Sequence, residues 1–236
     1  MAKNDCAVAV LFDLEDTLVQ TPWTDYQRVI EFRRGTREKL LELGIPSSVL
    51  EGIERATIMR NKATEYIEKN LTKADAKKVY QGMEKFLIQY EQDSAEKSKL
   101  FPETVPTLKK LRKLGMKIGL VTNTSMKAVN TVFRLHGLEM YFDVIITREK
   151  VKKLKPDPEG ILLALKKLGV KSFFMVGDLV HDVLAAKGAK GISVLVKRSV
   201  EETDCEADFI VQSLGEILTI IQGGKGKPHD CRREGC

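Results

Sequence analysis

Val8-Ala9-Val10-Leu11-Phe12-Asp13 is an uninterrupted apolar run closed by a carboxylate. Such a run, too short for a helix, fits a strand buried on both faces, as in a parallel sheet. Similar runs, rich in β-branched residues, return at 117–121, 144–146, 173–176, 192–196 and 209–211. Helical patterns lie between the later ones. Leu108, Leu111 and Leu114 recur at helical spacing within 104–114 and the pattern stops at Gly115. Asp157-Pro158-Glu159 opens another helix, with Asp as N-cap and Pro at its first position, and Gly169 closes it. Ser213-Leu214-Gly215-Glu216 reads as a capping box ahead of the last helix. This alternation predicts an α/β fold, a doubly wound parallel sheet covered on both faces.

Residues 19–98 break the alternation. Val49, Ile53, Ala56, Met59, Ala63 and Tyr66 fall on one face of a helix, and Val79, Met83, Phe86 and Tyr90 on one face of the next, with no convincing strand. The expected organisation is a core of 1–18 and 99–222, an inserted all-helical cap of 19–98 and a flexible C-terminal tail of 223–236, which opens on Gly-Gly-Lys-Gly-Lys-Pro.

Composition narrows the functional classes. With 43% hydrophobic and 31% charged residues, the chain reads as an ordinary soluble globular protein. Its one early apolar run is too short for a signal peptide or a membrane span, so the expectation is a cytoplasmic protein with no membrane partner, monomeric or homodimeric. The net charge of +6 comes from lysines mixed with glutamates on helix faces, without a basic stripe interleaved with aromatics, and predicts no nucleic-acid partner. Cys6, Cys205, Cys231 and Cys236 lack CxxC spacing, which predicts reduced thiols. His229, Asp230, Cys231 and Cys236 lack the four well-spaced ligands usual for structural zinc.

An open parallel sheet binds ligands beyond the carboxyl ends of its strands. The polar residues placed there are Asp13 and Glu15 after the first run, Thr122 and Asn123 after the second, and Asp178 with Asp182 after the fourth. Their chemistry suits phosphoryl transfer, which needs a nucleophile, a cation for the phosphate oxygens, donors for the remaining oxygens and a proton donor for the leaving alcohol. Asp13 offers a carboxylate nucleophile, and Asp13 with Asp178 offers hard oxygen ligands suited to Mg2+. Thr122 offers a hydroxyl, and Lys155 a positive charge. Read as structure alone, the same aspartates would only end strands, and Lys155 would be one of a solvated run with Lys150, Lys152 and Lys153.

Phe12-Asp13-Leu14-Glu15-Asp16-Thr17-Leu18, Leu120-Val121-Thr122-Asn123, Lys155-Pro156-Asp157-Pro158 and Val176-Gly177-Asp178 followed by Asp182 resemble, in order, the four motifs of the haloacid dehalogenase superfamily. The likeness covers nearly all of residues 7–222, and its general layout is similar to the phosphoglycolate-phosphatase-like members with a helical cap. The resemblance implies that Asp13 attacks phosphorus and that Glu15 protonates the leaving group and then activates water. It makes Thr122 and Asn123 phosphate-binding residues and Lys155 the charge that steadies phosphate and nucleophile. The implied Mg2+ is held by Asp13, the backbone carbonyl of Glu15 and Asp178, with Asp182 as a further ligand or orienting a bound water. The implied substrate is a small phosphorylated metabolite.

Most phosphatases of the superfamily have Asp where this chain has Glu15, whose extra methylene is expected to displace the carboxylate by more than about an ångström. The enolase-phosphatase branch is similar in carrying Glu there. Asp16 replaces the commoner Gly, a position Asp tolerates because it accepts unusual backbone angles. Two rival readings keep the fold: a phosphomutase, and a non-catalytic binding or scaffold protein. The carboxylate at Glu15 argues against dehalogenase or phosphonatase chemistry. His136, ahead of Gly137, reads as a helix-terminal residue, and His181 is assigned no role. Trp23 and Tyr26 are expected to fill the cap's core, with Arg28, Arg33 and Arg34 solvated or paired with Glu31 and Glu38.

Overall fold

The computed structural model describes residues 7–22, 26–198 and 206–223. In chain order it runs β1 (Val8–Phe12), β2 (Val19–Gln20), α1 (Tyr26–Glu42), α2 (Ser47–Leu50), α3 (Ala56–Asn70), α4 (Lys73–Glu96), β3 (Lys99–Leu100), α5 (Thr104–Lys113) and β4 (Lys117–Val121). It continues with α6 (Met126–His136), β5 (Val144–Ile146), α7 (Glu159–Leu168), β6 (Ser172–Gly177), α8 (Val180–Gly188), β7 (Ile192–Val196), β8 (Phe209–Val211) and α9 (Ile217–Gln222).

Six strands form one parallel sheet in the order β5-β4-β1-β6-β7-β8. From β1 the chain adds β4 and β5 on one side and β6, β7 and β8 on the other, so the loops after β1, β4 and β6 meet where the winding reverses. The twofold alternation of side chains divides the core. Val10 and Phe12 join residues of α5, α6 and α9 on one face, while Ala9 and Leu11 join Ile161 and Ala164 of α7 and Ala185 of α8 on the other. Both faces being covered explains the unbroken apolar runs.

The helix expected to open at Asp157-Pro158 begins at Glu159, one residue later, with the Asp157 carboxylate accepting from the Glu159 amide at 3.0 Å. Gly169 closes it in the left-handed conformation at φ +68°. At the start of the last helical segment, the Glu216 carboxylate accepts the Ser213 amide at 2.9 Å, as a capping box requires.

Helices α1–α4 bury a hydrophobic cluster of their own, including Leu40, Met59, Ile67, Val79 and Met83. The stripe from Val49 to Tyr66 is not one helix. It is divided between α2 and α3 by a turn in which Gly52 sits at φ +68°, a conformation that ends a helix and costs glycine little. Val19–Gln20, read as helical insertion, pairs instead with Lys99–Leu100 as a two-residue antiparallel ribbon where the chain leaves and re-enters the α/β layer. Tyr26 is 71% exposed and fills no core. Arg28 pairs with Asp93 at 2.7 Å and Arg34 with Glu38 at 3.8 Å. Trp23, the four cysteines, His229 and residues 224–236 lie outside the described residues. Among the described residues no helix is long and apolar enough to cross a membrane.

Candidate active site

The register of the sheet builds the site. Phe12 pairs with Val176, and the Asp13 amide donates to the Val176 carbonyl at 2.9 Å, so Asp13 and Asp178 leave neighbouring strands at the same level. Carboxylate oxygens of Asp13, Asp178 and Asp182 lie within 4.8 Å of one another. Thr122 leaves β4, the strand on the other side of β1. Lys155, on the loop between β5 and α7, is 4% exposed and places its Nζ 2.8 Å from Asp13 Oδ1 and 2.6 Å from Asp182 Oδ1.

Burial lowers the affinity of Lys155 for its proton, but Asp13 and Asp182 outweigh it and raise the ammonium above the usual lysine range. Burial, then the neighbouring carboxylates of Asp182, Asp13 and Asp16, push Asp178 well above the ordinary aspartate range, although the Thr17 hydroxyl donates to it at 3.1 Å. Asp182 is pushed up to about 6 by burial, against the pull of Lys155. Closely set carboxylates with one lysine among them are short of positive charge. Hard oxygen ligands in that state fit a divalent cation such as Mg2+.

Close packing underlies this approach. A Cβ built on Gly177 would collide with the Asp182 carboxylate, so only glycine lets the start of α8 fold back against β6 there. Asp16 adopts φ +53°, and its carboxylate accepts the Thr21 amide at 2.9 Å, fixing the turn that follows the nucleophile candidate. Glu15 is held by the Thr124 hydroxyl, which donates to Oε2 at 2.9 Å.

The seven residues singled out in the sequence, Asp13, Glu15, Thr122, Asn123, Lys155, Asp178 and Asp182, all line a single chamber of about 210 Å³. Residues of α1, α3 and α4 close its far side. The side chain of Asn123 faces the Lys155 backbone: it donates to the Lys155 carbonyl at 3.1 Å and accepts the Lys155 amide at 3.0 Å. Asn61 of α3 does the same to the preceding residue, with 2.8 Å bonds to both the carbonyl and the amide of Leu154.

Sequence reasoning missed several residues of this neighbourhood. Arg148, 1% exposed, donates to Glu84 of α4 at 3.0 and 2.8 Å, to Glu91 of α4 through both terminal nitrogens, and to the Asn123 carbonyl at 3.2 Å. Burial opposes its charge, but Glu91 and Glu84 prevail and raise it above the usual range. Glu91 also accepts the Ser125 amide at 3.1 Å. His181 is buried, with Arg55 at 3.2 Å and Thr57 at 3.5 Å on its two ring nitrogens; burial and then Arg55 lower it to about 4, so it is neutral at pH 7. Arg148 and Asn61 carried no sequence signal, because the glutamates that pair with Arg148 and the Leu154 backbone that pairs with Asn61 are 57 to 93 residues away. Tyr26, Arg28, Arg33 and Arg34 are not among the chamber's lining residues, whereas Phe32 and Thr36 of the same helix are.

A doubly wound sheet with acidic side chains and a buried lysine gathered over its central strands defines the class: the haloacid dehalogenase-like hydrolase profile matches residues 8–190, and the chain belongs to that family. Among curated relatives it is similar to the pyrophosphatase PpaX of Bacillus velezensis, 37% identical over 50% of this chain and 58% of that protein. It is also similar to the phosphoglycolate phosphatase of Vibrio cholerae, 32% identical over 56% of this chain and 61% of the other. These matches thus span little more than half of each relative. A solved HAD phosphatase from Thermococcus onnurineus superposes with a TM-score of 0.57 at 29% identity, covering 93% of this chain and 99% of that one.

Proposed function

We propose that the chain is a cytoplasmic, Mg2+-dependent phosphatase that hydrolyses a small phosphorylated metabolite through an aspartyl-phosphate on Asp13. The observation that carries this reading is the contact of Lys155 with Asp13 inside a cluster of three carboxylates. Asp13 and Asp178, with the Glu15 carbonyl, would hold the ion, and Asp182 would support the cluster while anchoring Lys155. Bound Mg2+ would gather the phosphoryl oxygens and offset their charge beside the carboxylates.

The chain's own groups then divide the work. Lys155 fixes the Asp13 carboxylate and adds a positive charge where negative charge gathers in the transition state. Thr122 donates its hydroxyl to a phosphoryl oxygen. Asn123, occupied by the Lys155 backbone, serves by placing the lysine. Asp13 forms a bond to phosphorus as the ester oxygen departs, and Glu15, steadied by Thr124, gives that oxygen its proton. Glu15 next takes a proton from water, whose oxygen attacks the acyl phosphate, releasing phosphate and restoring Asp13. Residues 19–98 act as a cap that excludes bulk water during both steps.

Purified protein assayed on a panel of phosphate esters, with Mg2+ and with EDTA, tests the proposal. Turnover is expected with Mg2+, is lost in EDTA, and falls at least about a thousandfold in Asp13→Asn. Ordinary turnover in Asp13→Asn removes the nucleophile from the scheme.

A further inference from the structure

Ala56 and Thr57, the first residues of α3, line the chamber together with His181 of α8. His181 is buried, with Arg55 Nη1 3.2 Å from its Nε2 and Thr57 Oγ1 3.5 Å from its Nδ1. A guanidinium has donors only, so Nε2 must present its lone pair, and the proton of the neutral ring sits on Nδ1. That Nδ1–H faces the Thr57 oxygen, which therefore accepts. The hydroxyl's own hydrogen is left over. Among the described residues it meets no other acceptor, and the long contact with the ring is of the kind that tightens when substrate binds. Arg55 precedes α3 without a side-chain bond to its first turn, so the amides of Ala56 and Thr57 add further donors beside the hydroxyl.

Resting on the phosphatase reading above, we infer that Thr57, its hydroxyl turned by the Arg55–His181 pair, is a specificity-determining donor that reads an acceptor oxygen on the substrate's leaving group. His181 precedes Asp182 in the chain and lies within the electrostatic reach of Asp13 and Lys155, so that oxygen belongs near the ester, on the first or second carbon of the alcohol. A hydroxyl or a carboxylate supplies it. An alkyl chain does not, and would bury the Thr57 hydrogen unpaired. A site built around such a bond rejects the analogue that lacks it. Arg55 is a positioning residue: without it the imidazole proton is free to move to Nε2, Nδ1 becomes an acceptor, and the Thr57 hydrogen turns back onto the ring.

The test compares kcat/KM with Mg2+ for 2-hydroxyethyl phosphate, phosphoglycolate and n-propyl phosphate, which are close in size and differ in the oxygen. One or both of the oxygen-bearing esters should exceed n-propyl phosphate by about tenfold or more, and the better of the two identifies the source of the oxygen. Thr57→Val should cut that ratio at least about fivefold. In the wild type n-propyl phosphate equal to or better than both, or in Thr57→Val a loss shared equally by all three esters, overturns the inference and leaves the phosphatase reading standing. Turnover of no ester by the wild type overturns both. Independently of turnover, nitrogen NMR of the imidazoles, with His181 assigned by the signals missing in His181→Gln, should show a bare Nε2 and a protonated Nδ1. The proton should shift toward Nε2 in Arg55→Met and stay on Nδ1 in Arg55→Lys, whose ammonium also only donates. A His181 protonated on Nε2 in the wild type contradicts the inference.

Discussion

Arg148→Met isolates the ion network under the chamber. The wild-type side chain is 1% exposed and its head group spans Glu84, Glu91 and the Asn123 carbonyl. Methionine keeps much of the volume and removes every donor. Glu84, 32% exposed, can turn to water, but Glu91, at 8%, is left with the Ser125 amide as its one remaining bonded donor in the network. Removing one member of a buried pair costs about 3–5 kcal/mol, mostly from the charge stranded behind. The loss should fall in that range, measured by urea unfolding followed by circular dichroism. Adding Glu91→Gln neutralises the stranded group, so Arg148→Met with Glu91→Gln should recover about 2 kcal/mol of the loss. A loss below about 1 kcal/mol in the single variant, or no recovery in the double, refutes the reasoning.

Gly177→Ala should reduce kcat about a hundredfold while the circular dichroism spectrum is kept, because the new methyl displaces Asp182 from Lys155. Asn61→Ala deletes the reciprocal bonds to Leu154, one residue from Lys155, and should lower kcat about tenfold in steady-state assays, with Asn61→Asp failing to restore it because a carboxylate cannot donate to the Leu154 carbonyl. At Asp143, burial favours the neutral acid, but the Ile118 amide at 2.8 Å and Arg112 at 2.7 Å prevail and hold the carboxyl below its usual value. A depressed carboxyl stabilises the fold above its unfolded pKa and loses that contribution as pH falls through the folded value. Asp143→Asn should therefore cost about 1 kcal/mol at pH 7, and the gap to wild type should close as pH falls below about 4, as read from melting temperatures.

The α/β layer was legible because its strands are buried on both faces, which writes them as continuous apolar runs, and because Gly115 and Gly169 punctuate the helices. The same logic placed Asp13, Thr122 and Asp178, since each directly follows such a run. Lys155 was harder, standing beside Lys152 and Lys153. What separates it is burial: Lys152 and Lys153 reach out to Glu68 and Glu65 of α3, while Lys155 turns inward to Asp13 and Asp182. No local pattern states that choice. The run from Val49 to Tyr66 misled because helical spacing carried across Gly52, where the chain turns and then resumes a helix. Arg148 was invisible for another reason. A buried arginine looks like any surface arginine until its two glutamates, on a helix 57 and 64 residues earlier in the chain, come into view.

The helical layer does more than roof the site, because the loops after β4, β5 and β6, which carry candidate functional groups, are bonded to it. Leu154, beside Lys155, is held by Asn61; His181, beside Asp182, meets Arg55; and Arg148 with Glu91 grips the backbone at Asn123 and Ser125. A neutral hydrogen bond contributes roughly 1 kcal/mol net, and a charged one about twice that. Swinging α3 and α4 away would therefore give up several kcal/mol and loosen the backbone under Lys155, Thr124 and Asp182 together. Closure and alignment become one event, and a substrate that holds the helices down also sharpens the geometry around Asp13.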